Sequence, residues 1–236
     1  MEKPLLTQIR NELTQHVDQT YKKQSYYFYK EPIKLYGVRS ATVKKIAQTS
    51  FAQIKSWNKQ DNIALCEQLL ASGYNEEHAI AFNLLFRFKK KYEPADFETF
   101  ERWLQKYVSN WSSCDDFCTH ALGYFIFTFP ELLPHVYAWT KDKNRWMRRA
   151  SAVALIYSVR KQKVLSQILK TADALLIDQD DMVQKGYGWM LKEASDDFPK
   201  EIFDYVMKHK QAMPRTALRY AVEKLPVAMK KEAMKK

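Results

Sequence analysis

Apolar residues return every three or four positions through almost the whole chain. Ile80, Leu84, Leu85 and Phe88 show it, as do Val153, Ile156 and Tyr157, and again Met190, Leu191 and Ala194. That spacing is the period of a helix with one face in a core, and strand-like alternation is missing. Gly73, Pro94, Pro130, Pro134, Pro199, Pro214 and Pro226 interrupt the pattern. They leave segments of ordinary helix length, about ten to thirteen of them.

The helical pattern is itself periodic. Ala79 in EEHAIAFNLL, Asp115 in SSCDDFCTHAL, Ala150 in MRRASAVAL and Gly186 in VQKGYGWML follow one another at 36, 35 and 36 residues, and Ala217 in RTALRYAV comes 31 later. Each marker lies in a helical stretch after a polar turn, which predicts HEAT-like helix pairs. A pair cannot bury its apolar side alone, so pairs stack into a continuous core. The expected fold is all-α: a single domain over residues 1–236, an α-solenoid whose second helices line a concave basic face. In that register Trp111, Asp115, Arg149, Lys185 and Trp189 are expected to project into one groove, because residues four apart share a helix face.

Composition narrows the partners. Five glycines and eight prolines among 236 residues are too few for the turns of a sheet sandwich. Neither an 18-residue apolar run nor a secretory leader is visible in MEKPLLTQIRNELTQ, so no membrane partner and a cytoplasmic location are expected. Three cysteines make a disulfide framework an unsuitable reading. A formal net charge of +11 describes a surface that attracts polyanions, nucleic acid first among them.

The densest chemistry sits in WSSCDDFCTH, residues 111–120. Cys114 and Cys118 are four apart, but zinc sites usually take a tighter C-x2-C knuckle with a second pair, and none exists. They read as small buried hydrophobes, with no metal and no cofactor expected. Ser109, Asn110 or Ser112 can cap a helix, with Asp115 or Asp116 in its first turn, Asp116 more readily. Capping leaves Trp111 unexplained. Trp146 reads as packing; Asp180, Asp181, Asp196 and Asp197 read as acids at helix starts. Taken alone, Trp189 reads as a core aromatic and Arg149 as part of a solvated charged face.

The run NWSSCDDFCTHALG, followed in order by NRWMRRA and VQKGYGWMLKEA, resembles the HEAT-like repeat DNA alkylation repair proteins of the AlkD type, over roughly residues 5–225 and including RTALRYAVEKL. The resemblance implies a DNA glycosylase that hydrolyses the N-glycosidic bond of cationic N3- and N7-alkylpurines in duplex DNA, without a metal. Asp115 would be the catalytic carboxylate, and Trp111 and Trp189 would contact the deoxyribose. Arg149 would hold the DNA backbone, with Arg148, Lys185, Arg215 and Tyr27 as further DNA contacts. The partner would be duplex DNA, damaged or branched, and the protein a monomer that joins the nucleoid when bound.

The sequence departs from the family in VDQTYKKQSYYFYK, where active members have a fuller helix that probes the minor groove. This segment is about four residues shorter, with Pro32 close behind, and is expected to be a loop or one helical turn. Its lysines and aromatics suit phosphates and bases; they equally suit capping an open helix stack. Two rival functions follow. One is a DNA-binding paralogue with little or no excision. The other is a solenoid that binds proteins.

Overall fold

The computed structural model describes residues 2–161 and 164–235. Two compact units emerge, Met1–Ala121 and Leu122–Lys236. In the first, the helices are α1 (Glu2–Gln15), α2 (Gln19–Tyr26), α3 (Ser40–Ile54), α4 (Lys59–Ala71), α5 (Asn75–Arg87), α6 (Phe97–Tyr107) and α7 (Trp111–Phe117). In the second they are α8 (Gly123–Thr128), α9 (Leu133–Ala138), α10 (Arg145–Val153), α11 (Leu155–Val159), α12 (Leu165–Leu175), α13 (Asp181–Ala194), α14 (Pro199–His209), α15 (Arg215–Ala221) and α16 (Val227–Met234). Sixteen α segments among the described residues exceed the ten to thirteen expected, because two long helices are interrupted and the segment Gln19–Tyr26 is a further helix. A π turn over Cys118–Leu122 separates α7 from α8, and Ala154 separates α10 from α11.

The chain is all-α; among the described residues the only bridge is an isolated one between Lys34 and Tyr74. No helix of the described residues is long and apolar enough to cross a membrane. The second helices of the pairs start at Ser40, Asn75, Trp111, Arg145, Asp181 and Arg215. The first three starts are 35 and 36 residues apart and the last three 36 and 34. Thus α3 completes a pair with α1, one repeat earlier than the sequence markers reach. In the first unit α3 packs on α5 and α5 on α7; in the second α10 packs on α13 and α13 on α15.

Local chemistry explains the starts and stops. Asn110 caps α7 by accepting the Ser113 amide at 2.9 Å, Asn144 caps α10 through the Trp146 amide, and Asp180 caps α13 through the amides of Met182 and Val183. These caps satisfy amides that have no partner within a helix. Pro199 occupies the first turn of α14, and Pro214 and Pro226 immediately precede α15 and α16. Asp196 and Asp197, expected as acids at a helix start, lie between α13 and α14 rather than in the first turn of α14, and Asp196 pairs with Lys224 at 2.5 Å.

Each unit buries its own apolar core. In the first, Ile9, Leu13, Ile46, Leu65, Leu69, Ile80, Leu84, Phe100 and Trp103 are buried, and Phe82 stacks on Phe117 with centroids 4.6 Å apart. In the second, Val153, Ile156, Ile168, Val183, Tyr187, Leu191, Val206 and Leu218 are buried. Burying each such side chain contributes about 1.5–3 kcal/mol before conformational entropy opposes it. Trp146 is buried too, as its packing role requires.

The segment after α1 differs from the expected loop or single turn. Residues Gln19–Tyr26 form two turns of helix, capped by Asp18, whose carboxylate accepts the Tyr21 amide at 2.9 Å and pairs with Arg39. The return to α3 is pinned from α5. The buried Glu76 carboxylate accepts the amides of Tyr36, Gly37 and Val38 at 3.1, 2.8 and 3.1 Å. Next to it the fully buried Glu77 takes a two-pronged contact from Arg10 and the Tyr36 hydroxyl at 2.8 Å. Gly37 sits at φ +93°, and a Cβ there would fall 2.5 Å from Lys22 Cβ, so only glycine lets α2 lie this close.

Candidate functional site

Trp111 is the first residue of α7 and Asp115 the fifth, so they share one side of a seven-residue helix, both half-buried. Neither Asp115 nor Asp116 lies in the first turn, which corrects the expectation that Asp116 assists the cap. Asp116 instead faces His120, with Oδ1 3.1 Å from Nδ1, while the Asp116 carbonyl accepts from the same ring nitrogen at 3.0 Å. That contact raises the His120 pKa above its ordinary value, against burial and the nearby Lys44 cation. The Thr119 hydroxyl donates to the Asp115 carbonyl at 2.7 Å as the chain enters the π turn.

The N-terminal aromatics reach Trp111. Its indole N–H donates to the Phe28 carbonyl at 3.1 Å, and the Tyr29 ring stacks on it with centroids 5.5 Å apart and planes 19° apart. Burial pushes the Tyr29 phenol upward in pKa, although Ser112 and Asn75 bond its oxygen. Tyr27, one residue before the Phe28 anchor, is 90% exposed, and Phe28 is 72% exposed. Behind this layer α5 and α7 are joined by a polar seam. Ser113 donates to Asn75 at 3.0 Å and lies 3.2 Å from His78 Nδ1, while His78 Nε2 donates to the Leu70 carbonyl. Burial lowers the His78 pKa, which keeps the imidazole neutral.

The other expected site residues belong to the second unit. Arg149 is buried rather than part of a solvated face; its guanidinium donates to the Met182 carbonyl, and its Cγ lies 3.1 Å from where a Cβ on Gly186 would stand. Arg148 is committed to Asp178 at 2.6 Å and to the carbonyls of Asp142 and Lys143. Lys185 is half-buried and pairs with Asp181 at 3.1 Å. Trp189 is half-buried, its indole N–H donating to Glu193 at 3.2 Å. Burial would raise the Glu193 pKa, but Arg160 and Lys224 outweigh it and hold the carboxyl below its usual range. Arg215 is exposed and donates to the Met234 carbonyl, in a basic pocket shared with Lys185, Arg219 and Lys230.

Cys66, Cys114 and Cys118 are buried and form no disulfide. Among the described residues no group of three or more His, Cys, Asp or Glu side chains is gathered to hold a metal ion. The sequence did not single out Glu76, Glu77 or Asp18. An EE pair at a helix start looks like simple dipole compensation, and its partners lie about 40 to 67 residues away along the chain.

The sequence profile of the DNA alkylation repair enzyme family matches residues 9–225, nearly the whole chain. The chain belongs to the DNA alkylation repair enzyme family. No curated protein matches it. Among solved structures, one described as a predicted DNA alkylation repair enzyme from Enterococcus faecalis is similar, with a TM-score of 0.78 at 18% identity, covering 89% of this chain and 96% of that one. At that identity the likeness establishes the helical fold of this family member and nothing finer.

Proposed function

We propose that the protein is a DNA glycosylase that releases cationic N3- and N7-alkylpurines from duplex DNA. The observation that carries this reading is the pairing of a half-exposed tryptophan and a half-exposed carboxylate, Trp111 and Asp115, on one side of a short helix in a member of this repair family. An alkylated purine is already a cation and leaves readily, so little acid catalysis is needed. What requires stabilising is the positive character that develops on the sugar. A nearby carboxylate does this electrostatically and orients the attacking water, an effect worth roughly 3–4 kcal/mol. An indole face beside the sugar and the cationic base adds about 0.5–2 kcal/mol.

In this reading Asp115 is the catalytic residue, and Trp111 contacts the deoxyribose. Trp189 is assigned a deoxyribose contact on the family signature alone. Lys185, Arg215 and Tyr27 meet the DNA, whereas Arg148 and Arg149, already committed to Asp178 and the Met182 carbonyl, order the helices that carry the contacts.

One observation favours a second reading, a DNA-binding relative with little excision: the chain's own Phe28 carbonyl and Tyr29 ring already occupy the Trp111 indole. A base-release assay on methylated duplex separates the two. The glycosylase reading expects 7-methylguanine or 3-methyladenine in the supernatant, a release rate falling by about 10²–10³ in Asp115→Asn, and nearly unchanged DNA affinity in that variant. Binding without release of either base leaves the second reading standing and removes the first.

A further inference from the structure

The Trp189 indole has one polar atom, its N–H, and that atom donates to Glu193 Oε1 at 3.2 Å, one turn further along α13. Glu193 is not free to move with the ring. Arg160, at the end of α11, holds Oε2 through Nε at 2.8 Å and Nη2 at 2.7 Å. Lys224, in the turn after α15, reaches Oε1 at 3.2 Å and is itself tied to Asp196 at 2.5 Å. The Glu193 side chain is only 8% exposed, so water competes little for these bonds. We propose that Glu193 is a positioning residue for Trp189, a carboxylate fixed by cations from the ends of α11 and α15 that sets the orientation of the indole. What the ring meets rests on the glycosylase reading; the clamp on the ring stands without it.

Relative bond strength sets the direction of control. The guanidinium and the ammonium add Coulomb attraction to their hydrogen bonds, which a neutral indole N–H lacks. The carboxylate takes three such bonds against one from Trp189, so the ring follows the carboxylate. Burial opposes ionisation of Glu193, but the two cations outweigh it and keep both oxygens as acceptors. Those cations also offset its charge, which separates its role from that of Asp115: it has little field left to lend to a cation forming on a sugar. A half-buried indole whose N–H is spent inward offers a ligand its ring alone. A ring attracts a cation from its face, so what Glu193 controls is the direction in which that face is presented. A ring turned aside loses this attraction while the helices around it remain packed.

A double-mutant cycle on base release from methylated duplex tests this, with Glu193→Met, Trp189→Ala and the double variant of the full chain. Removing the ring should slow release by about two- to thirtyfold. Glu193→Met should slow kcat by at least about twofold in the presence of Trp189, and add nothing once residue 189 is alanine. A purely structural role predicts equal losses in both backgrounds, tracking the melting temperature, which is recorded for each variant. In a heteronuclear NMR spectrum the indole N–H resonance of Trp189, identified by its absence from Trp189→Ala, should shift in Glu193→Met. If Glu193→Met fails to fold, Arg160→Gln takes its place: Arg160 is half exposed, and the change frees Oε2 without removing the acceptor. Its effect on release should likewise vanish without Trp189. An unmoved indole resonance, or equal losses in both backgrounds, overturns the proposal, and with release intact it overturns this inference alone. If no base is released, the cycle is read on duplex affinity. Non-additive losses there sustain the positioning role and sink only the glycosylase reading; additive or absent losses sink both.

Discussion

At Gly188 the absence of one methyl group sets how closely α13 and α15 approach. A Cβ there would stand 2.7 Å from Tyr220 Cβ and 2.8 Å from the Ala217 carbonyl oxygen. Alanine in a helix normally gains about 1 kcal/mol over glycine, but overpacking against backbone that cannot yield costs about 1–3 kcal/mol. The clash wins, so Gly188→Ala is expected to lower the melting temperature, by about 2–4 °C for each net kcal/mol, in a thermal scan. His120 offers a pH test. Its raised pKa comes first from the hydrogen bond to Asp116, opposed by burial and by Lys44 of α3; Phe86 of α5 packs edge-on against the ring. A raised folded pKa means stabilisation is complete below about pH 6.5 and fades as pH rises through the folded value. The stability gap between wild type and His120→Ala should therefore narrow between about pH 6 and 8. The effect is small, because both partners are more than a third exposed. Trp111 and Asp115 were legible as residues because an indole four before a carboxylate has no capping purpose. Taken alone, RWMRR reads as a solvated surface, and it is the stacking of α13 on α10 that buries Arg149.

Among the elements, α2 was the hardest to foresee. YKKQSYYFYK has no apolar stripe, so its helix is held by contacts distant in sequence: Asp18 at its start and, across Gly37, the loop that Glu76 pins. Glu76→Ala leaves three backbone amides without an acceptor, which costs on the order of several kcal/mol. Hydrogen exchange at residues 36–38 should accelerate, and the emission of Trp111 should change as the segment bearing Phe28 and Tyr29 loosens; Glu76→Gln, which keeps one acceptor, should fall between. The row of second helices was legible from the apolar period, but its first member α3 was missed. The sequence markers begin at Ala79, and SATVKKIA carries none of the polar-turn vocabulary that flags the later repeats. The interruption after α7 was equally invisible, since CTHAL contains no proline or glycine.

On the scale of the whole molecule, the +11 charge is distributed unevenly in use. Many cations are internal to ion pairs, among them Arg10, Arg145, Arg148, Lys192 and Lys224. A census of lysines and arginines therefore overstates the charge available to a partner. If duplex DNA lies against Lys185 and Arg215, each phosphate neutralised should steepen the fall of log K with log salt by about 0.9. Lys185→Ala and Arg215→Ala should each flatten that slope by about one and weaken binding uniformly across sequences, in titrations at several salt concentrations. The family and the helical architecture were readable from the chain because both live in its period. The candidate site was readable only as residue types, because polar geometry depends on which carboxylate a distant arginine or amide has already claimed.

The bond between the Trp111 indole and the Phe28 carbonyl makes residues 27–29 a resident competitor. Any sugar or base that seeks that indole edge must displace them, and one net hydrogen bond of this kind is worth only about 0.5–1.5 kcal/mol. That bond alone weakens a ligand by a little over tenfold at most, and displacing the stacked Tyr29 ring adds about 0.5–1.5 kcal/mol, a threshold that a tight complex can meet and a weak, casual visitor cannot.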